Sequence, residues 1–217
     1  DMYVAPIDGS SPPVNLTKDA WLDTDPSWSP DGSKIVYTSD KGGGLPQLWI
    51  RDMATGADRQ LTKMELQPVE AVWSPDGTKI AYLDVDGMWG VAGVGFVDVA
   101  TGVTKRLTGS LGQPGRPAWS GDSRNIAIQL SLPFSKSFRE GTNQIYVVPI
   151  DGSEPKWQVP IPNLSIDTRG GGGPAWSPDG MKMAAIYEGL LRVWPAQARQ
   201  RIPSPTAIQR RHATSGM

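Results

Sequence analysis

The chain has 217 residues, with 21 basic and 22 acidic side chains, a net charge of −1 and no cysteine. Disulfides, thiolate metal sites and cysteine nucleophiles are thereby excluded, and the balanced charge gives no general attraction to nucleic acid or an anionic membrane. Its 25 Gly and 20 Pro fall at regular places, as in a fold of many short strands and tight turns. No apolar run approaches the ~18 residues of a membrane-spanning helix, and no signal peptide is visible. The chain opens inside an expected strand, Met2-Tyr3-Val4-Ala5, so a true N-terminus carrying any export signal is expected to be missing.

In chain order, the first recurring unit is Trp28-Ser29-Pro30-Asp31-Gly32, followed by the apolar strand Lys34-Ile35-Val36-Tyr37 and then by Gln47-Leu48-Trp49-Ile50. Turn signals at Thr55-Gly56 and the pair Leu61-Thr62 close the unit. It returns at Trp73-Ser74-Pro75-Asp76-Gly77 with Lys79-Ile80-Ala81-Tyr82, Val94-Gly95-Phe96-Val97, Thr101-Gly102 and Leu107-Thr108. It returns degraded at Trp119-Ser120-Gly121-Asp122-Ser123 and intact at Trp176-Ser177-Pro178-Asp179-Gly180. The opening segment fits from its middle, through Met2-Tyr3-Val4, Asp8-Gly9 and Leu16-Thr17.

The tryptophans are 45, 46 and 57 residues apart. The first two spacings match the ~40–45 residues of a four-stranded propeller blade, and the third adds an insertion of about eleven. Ser-Pro-Asp-Gly is hairpin chemistry. Pro presets φ, Asp bonds the local backbone and Gly supplies positive φ. The Trp offers one large ring per blade to fill the space between sheets. The fold class is therefore all-β, a propeller of four-stranded antiparallel blades with about four blade equivalents. Since propellers use four to eight blades, the ring is expected to be incomplete. The boundaries are a partial blade at 1–20, full blades at 24–64, 68–110 and 114–162, a partial blade at 171–196 and a basic, disordered tail at 197–217.

The pattern Pro-x-Trp-Ser-Pro-Asp-Gly-x-Lys-Ile, a Leu/Ile-Trp/Tyr strand and Leu-Thr resembles the WD40-like (PD40) repeat of TolB-type propellers. A narrower resemblance links Ile145-Tyr146-Val147-Val148-Pro149-Ile150-Asp151-Gly152-Ser153-Glu154-Pro155 and Arg169-Gly170-Gly171-Gly172-Gly173-Pro174-Ala175-Trp176 to the propeller preceding the catalytic domain of exported amidohydrolases. The first resemblance implies a non-catalytic module that binds a protein partner or small ligand at a propeller face, in the periplasm or outside the cell. The second implies an accessory fragment of a metal-dependent amidohydrolase, or less readily of a propeller-gated peptidase, with the chemistry on chain not included here.

No catalytic or metal site and no cofactor is expected. The single histidine, His212, sits in a basic stretch and cannot build a binuclear metal site or a Ser-His-Asp triad, and no Gly-x-Ser-x-Gly elbow occurs. The carboxylates Asp23-Thr24-Asp25, Asp84-Val85-Asp86 and Glu65 could hold Ca²⁺ or act as an acid–base pair. They read more simply as loop solvation and turns. Gly170-Gly171-Gly172-Gly173 lacks the Lys-Ser/Thr of a phosphate loop and reads as a flexible loop or a close backbone approach. Of the tryptophans outside the repeat, Trp89 could present its ring from a glycine-flanked loop, whereas Trp21 and Trp157 suit packing. The insertion Pro133–Gly141, with Phe134, Lys136, Phe138 and Arg139, is either a binding loop or a neutral surface insertion. Nucleic acid is not an expected partner, even for the Arg199, Arg201, Arg210 and Arg211 tail. Blade faces left open at both ends point to self-association.

Overall fold

A computed structural model describes residues 1–86, 91–133, 141–158, 165–166 and 173–196. Its regular structure among these residues is entirely β, in five antiparallel sheets that follow one another along the chain. The first sheet pairs β1 (Tyr3–Val4) with β2 (Val14–Asn15). The second runs through β3 (Asp23–Trp28), β4 (Lys34–Ser39), β5 (Gln47–Asp52) and β6 (Asp58–Gln60). The third repeats this order with β7 (Gln67–Trp73), β8 (Lys79–Val85), β9 (Val91–Asp98) and β10 (Thr104–Arg106), and β11 (Leu111–Gly112) also pairs with β9. The fourth holds β12 (Ala118–Trp119), β13 (Asn125–Pro133), β14 (Gly141–Pro149) and β15 (Lys156–Gln158), and the fifth β16 (Ala175–Trp176), β17 (Lys182–Tyr187) and β18 (Leu190–Pro195).

The sheets fan out from a common inner edge, where β3 lies against β7, β7 against β12 and β12 against β16. Successive side chains of a strand point to opposite faces, and the middle strands of the inner sheets bury both, each face against a neighbouring sheet. Four cores result, one per junction. Met2, Ile35 and Tyr37 fill the first, and Val36, Leu48, Trp73 and Tyr82 belong to the second. Ala81, Val94, Trp119 and Ile128 belong to the third, and Ala127, Ile145, Met183 and Tyr187 to the fourth. No core joins the fifth sheet back to the first among the described residues, so the propeller is an unclosed run of blades.

Each Ser-x-Asp turn is built alike. Ser29 Oγ donates to Asp31 Oδ1 at 2.6 Å, and Asp31 Oδ1 also accepts Ser33 N–H at 3.0 Å. Ser29 Oγ in turn accepts Lys34 N–H at 2.9 Å. The same set recurs from Ser74, Ser120 and Ser177. Gly32, Gly77 and Gly180 adopt φ of 70°, 70° and 69°, the left-handed region that favours glycine. The third copy carries Ser123 there, at φ 58°. Its hydroxyl accepts Asp76 N–H from the preceding blade at 3.1 Å, which ties the two turns together.

Two departures from the sequence reading have clear causes. The motif residue Gly121 is not mere decay of Pro. A Cβ there would sit 2.4 Å from the carbonyl oxygen of Pro178, so the next blade's turn requires glycine. The inserted length within the fourth blade is also partly strand: Pro133 and Gly141, expected in a loop, are paired across the extended β13–β14 hairpin.

Candidate binding surface

Connections between strands divide the molecule into two ends. The Ser-x-Asp turns and the β5–β6 and β9–β10 turns form one. The other carries the Asp40–Pro46 connection, the chain after β6 and β10, and the starts of the inner strands.

At the turn end, a cleft of about 460 Å³ lies between the second and third blades, lined by Pro30, Asp31, Trp73, Asp76, Gly77 and Val99. Its carboxylates are committed to the turns. The Ser29 hydroxyl and the Ser33 amide hold Asp31 down to about 2, and Ser120 and Ser177 lower Asp122 and Asp179 in the same way.

At the opposite end, a second shallow cleft of about 480 Å³ is lined by Gly42, Gly43, Leu45, Gln47, Lys63 and Glu65, among others. Gly43 and Gly44 have φ of 75° and 89°, which lets the connection lie back over the blade. Gln47 fixes the far wall: its Oε1 accepts Met64 N–H at 2.8 Å and the Thr62 hydroxyl at 2.9 Å. The exposed Leu45, Lys63 and Glu65 give the cleft an apolar lip and both charges.

The acidic pairs behave differently from the turn reading. Asp84 is buried on β8, with Oδ1 accepting Gly93 N–H at 2.7 Å and Oδ2 facing Arg106 Nε at 3.1 Å. Burial nonetheless raises its carboxyl above the ordinary value, with the Arg106 charge opposing. Arg106 also lies 3.9 Å from Asp86, which accepts the Ser110 hydroxyl. Gly93 makes this possible, because a Cβ would fall 2.3 Å from Arg106 Nε. Arg106, on the edge strand β10, carries no motif in the sequence and was not singled out there. Asp23 does not join Asp25. It turns toward Asp1 and Asp19, the three carboxylates offering oxygens within 4.8 Å of one another.

The repeated tryptophans are not equivalent. Trp73 and Trp119 are buried at 7% and 6% exposure, Trp176 is half-buried, and Trp28 is 48% exposed. Trp73 Nε1 donates to Ser27 O at 3.1 Å, and Trp119 Nε1 to Val72 O at 2.9 Å. Each ring thus docks on the residue preceding the tryptophan of the blade before it. The expectation that every repeat ring fills a space between sheets therefore fails at Trp28, whose ring is half exposed among the described residues. Trp157 packs on Tyr146 with ring centroids 4.9 Å apart, but Trp21 is 46% exposed rather than packed. Gly173 is approached by Arg116 O, 2.7 Å from where a Cβ would lie. Trp89, Phe134, Lys136, Phe138, Arg139, Gly170, Gly171, Gly172, His212 and the tail arginines lie outside the described residues.

Stacked four-stranded antiparallel sheets around a shared inner edge define a β-propeller. Comparison with known proteins finds the likeness of TolB propellers in part of the chain. Residues 1–90 match the TolB beta propeller domain family, PD40. The chain is 50% identical over 38 residues to the Protein TolB homolog of Protochlamydia amoebophila, covering 18% of this chain and 8% of that protein. It is 38% identical over 48 residues to the Tol-Pal system protein TolB of Bordetella pertussis, covering 22% and 11%. In fold it resembles the crystal structure of TolB from Acinetobacter baumannii, with a TM-score of 0.63, 22% identity, and coverage of 91% of this chain and 47% of that one. A puromycin-hydrolyzing peptidase of Mycobacterium tuberculosis has the same TM-score of 0.63 at 20% identity, covering 86% of this chain and 30% of the peptidase. The PD40 match thus covers residues 1–90, the described chain has a TolB-like propeller fold, and it spans about half the length of the TolB structure. No helix among the described residues is long and apolar enough to cross a membrane.

Proposed function

We propose that this chain is a non-catalytic binding module that receives a protein partner or small ligand at the end bearing the Asp40–Pro46 connection. The cleft there carries the reading: a glycine-shaped wall, an exposed Leu45 lip and the opposed charges of Lys63 and Glu65 suit a polar segment with one apolar anchor. Likeness to a Tol-Pal system protein supports a protein partner in the bacterial envelope. The first and last sheets offer a second contact. Tyr3 and Val14 on the first and Leu191 and Val193 on the last are exposed, and such faces drive association. A photo-crosslinker at Leu45 should label a saturable partner from an envelope extract, while one at Thr55, on the opposite end, should not. Equal labelling at both positions would overturn the reading.

A propeller accessory to a larger hydrolase is the second reading. Its support is the coverage of only 30% of a peptidase of matching fold, together with the amidohydrolase-like stretch of the sequence. The chemistry would then belong to another part of the parent protein, and the isolated chain should hydrolyse neither amides nor esters.

A further inference from the structure

We propose that Asp1, Asp19 and Asp23 form a site for a hard divalent cation of Ca²⁺ size, clamping the chain between β2 and β3 onto the first two sheets. Their carboxylate oxygens lie within 4.8 Å of one another. Bound to one ion at the ~2.3–2.6 Å of Ca²⁺–oxygen bonds, ligand oxygens must lie within about 5 Å of each other.

The second observation is the state of Asp23. It is 8% exposed, and neither carboxylate oxygen has a hydrogen-bond partner. An ionised carboxylate left without partners in the interior costs several kcal/mol. Asp84, also buried, has Arg106 and the Gly93 amide. Asp23 has instead two further carboxylates facing it. None of the ion pairs among the described residues includes Asp1, Asp19 or Asp23. A bound cation would supply the partner that Asp23 lacks and offset the repulsion among the three carboxylates.

The rest of the loop is organised around it. Asp1 accepts Asn15 Nδ2 at 2.7 Å and Asp19 N–H at 3.2 Å, while Asp19 accepts Trp21 N–H at 3.1 Å. Leu22 N–H is held by Asp40 at 2.9 Å. These bonds hold Asp1 and Asp19 in place, while both oxygens of Asp23 remain without hydrogen-bond partners. The donors are all oxygen, which selects Ca²⁺ or Mg²⁺ over softer metals. Ligands drawn from a loop and two sheets suit the flexible coordination of Ca²⁺ better than the strict octahedron of Mg²⁺. The site is independent of any partner at the neighbouring cleft.

The test uses the full chain with CaCl₂, MgCl₂ and TbCl₃ as probes. The exposed Trp21, two residues from both Asp19 and Asp23, should sensitise Tb³⁺ luminescence. The expected result is one saturable equivalent, displaced by Ca²⁺ with a Kd of about 10⁻⁵–10⁻³ M and far less readily by Mg²⁺, with a Tm that rises on adding Ca²⁺. Asp23→Asn should abolish both responses, and its Tm without metal should exceed that of the wild-type chain. Asp19→Asn, an exposed change that leaves folding intact, should weaken binding at least tenfold. No saturable binding by the wild-type chain, or Ca²⁺ responses unchanged in both variants, would overturn the site.

Discussion

The indole Nε1 of Trp73 donates a 3.1 Å hydrogen bond to the carbonyl of Ser27, 46 residues upstream. The ring fills the junction between the second and third sheets. Trp73→Ala is therefore expected to cost about 3–5 kcal/mol, the range for emptying a large aromatic core site. Trp28→Ala, with the ring half in water, should cost under about 1 kcal/mol. Urea unfolding of the two variants separates them, and equal losses would contradict the difference in docking.

Gly121 supplies a second contrast. A Cβ at 2.4 Å from Pro178 O cannot be accommodated without moving backbone. Gly121→Ala should destabilise by about 1–3 kcal/mol, as overpacking does. Gly109 has open space where its Cβ would be and no positive φ, so Gly109→Ala should be close to neutral. Thermal unfolding of both variants checks this.

The Asp84–Arg106 pair couples two hairpins of one blade. Arg106→Gln leaves Asp84 buried with only the Gly93 amide. With Arg106 about one-third exposed, a loss of about 1–3 kcal/mol is expected, that of a stranded buried acceptor. Adding Asp84→Asn should recover part of it, because the buried charge goes as well. A double-mutant cycle in urea measures the coupling.

Acid should unfold the turns for a definable reason. Serine hydroxyls and turn amides depress Asp31, Asp122 and Asp179 in the folded state, Asp31 to about 2. A depressed folded value means that stability is fully present above the unfolded value of about 3.8 and is lost as pH falls through the folded one. The urea midpoint should fall between roughly pH 4 and pH 2. Asp→Asn at these three positions should flatten that slope while lowering the plateau at neutral pH.

Much of the fold was legible because the turn chemistry is local. Ser29 to Lys34 carries every donor and acceptor its hairpin needs, so four phased copies fixed strand positions such as Lys34–Ser39 and Lys182–Tyr187. What lies across sheets was hidden. The exposure of Trp28 depends on what packs against its ring, not on its motif. Arg106 meets Asp84 only after a hairpin brings residues 22 positions apart together. The partners of Asp23 come from the first sheet and the loop after it, whereas the sequence suggested its neighbour Asp25. Gly121 looked like decay because its constraint is the Pro178 carbonyl, more than fifty residues downstream.

The direction of the tryptophan bonds sets an order of assembly. Trp73 and Trp119 both reach back to carbonyls that precede them in the chain. During synthesis each acceptor therefore leaves the ribosome before its donor, and a newly made blade meets a finished surface. Growth from the N-terminal side needs no later segment to complete an earlier junction, which suits domain-by-domain folding during translation. Starting from the other end, each indole would wait, exposed, for a strand not yet in place.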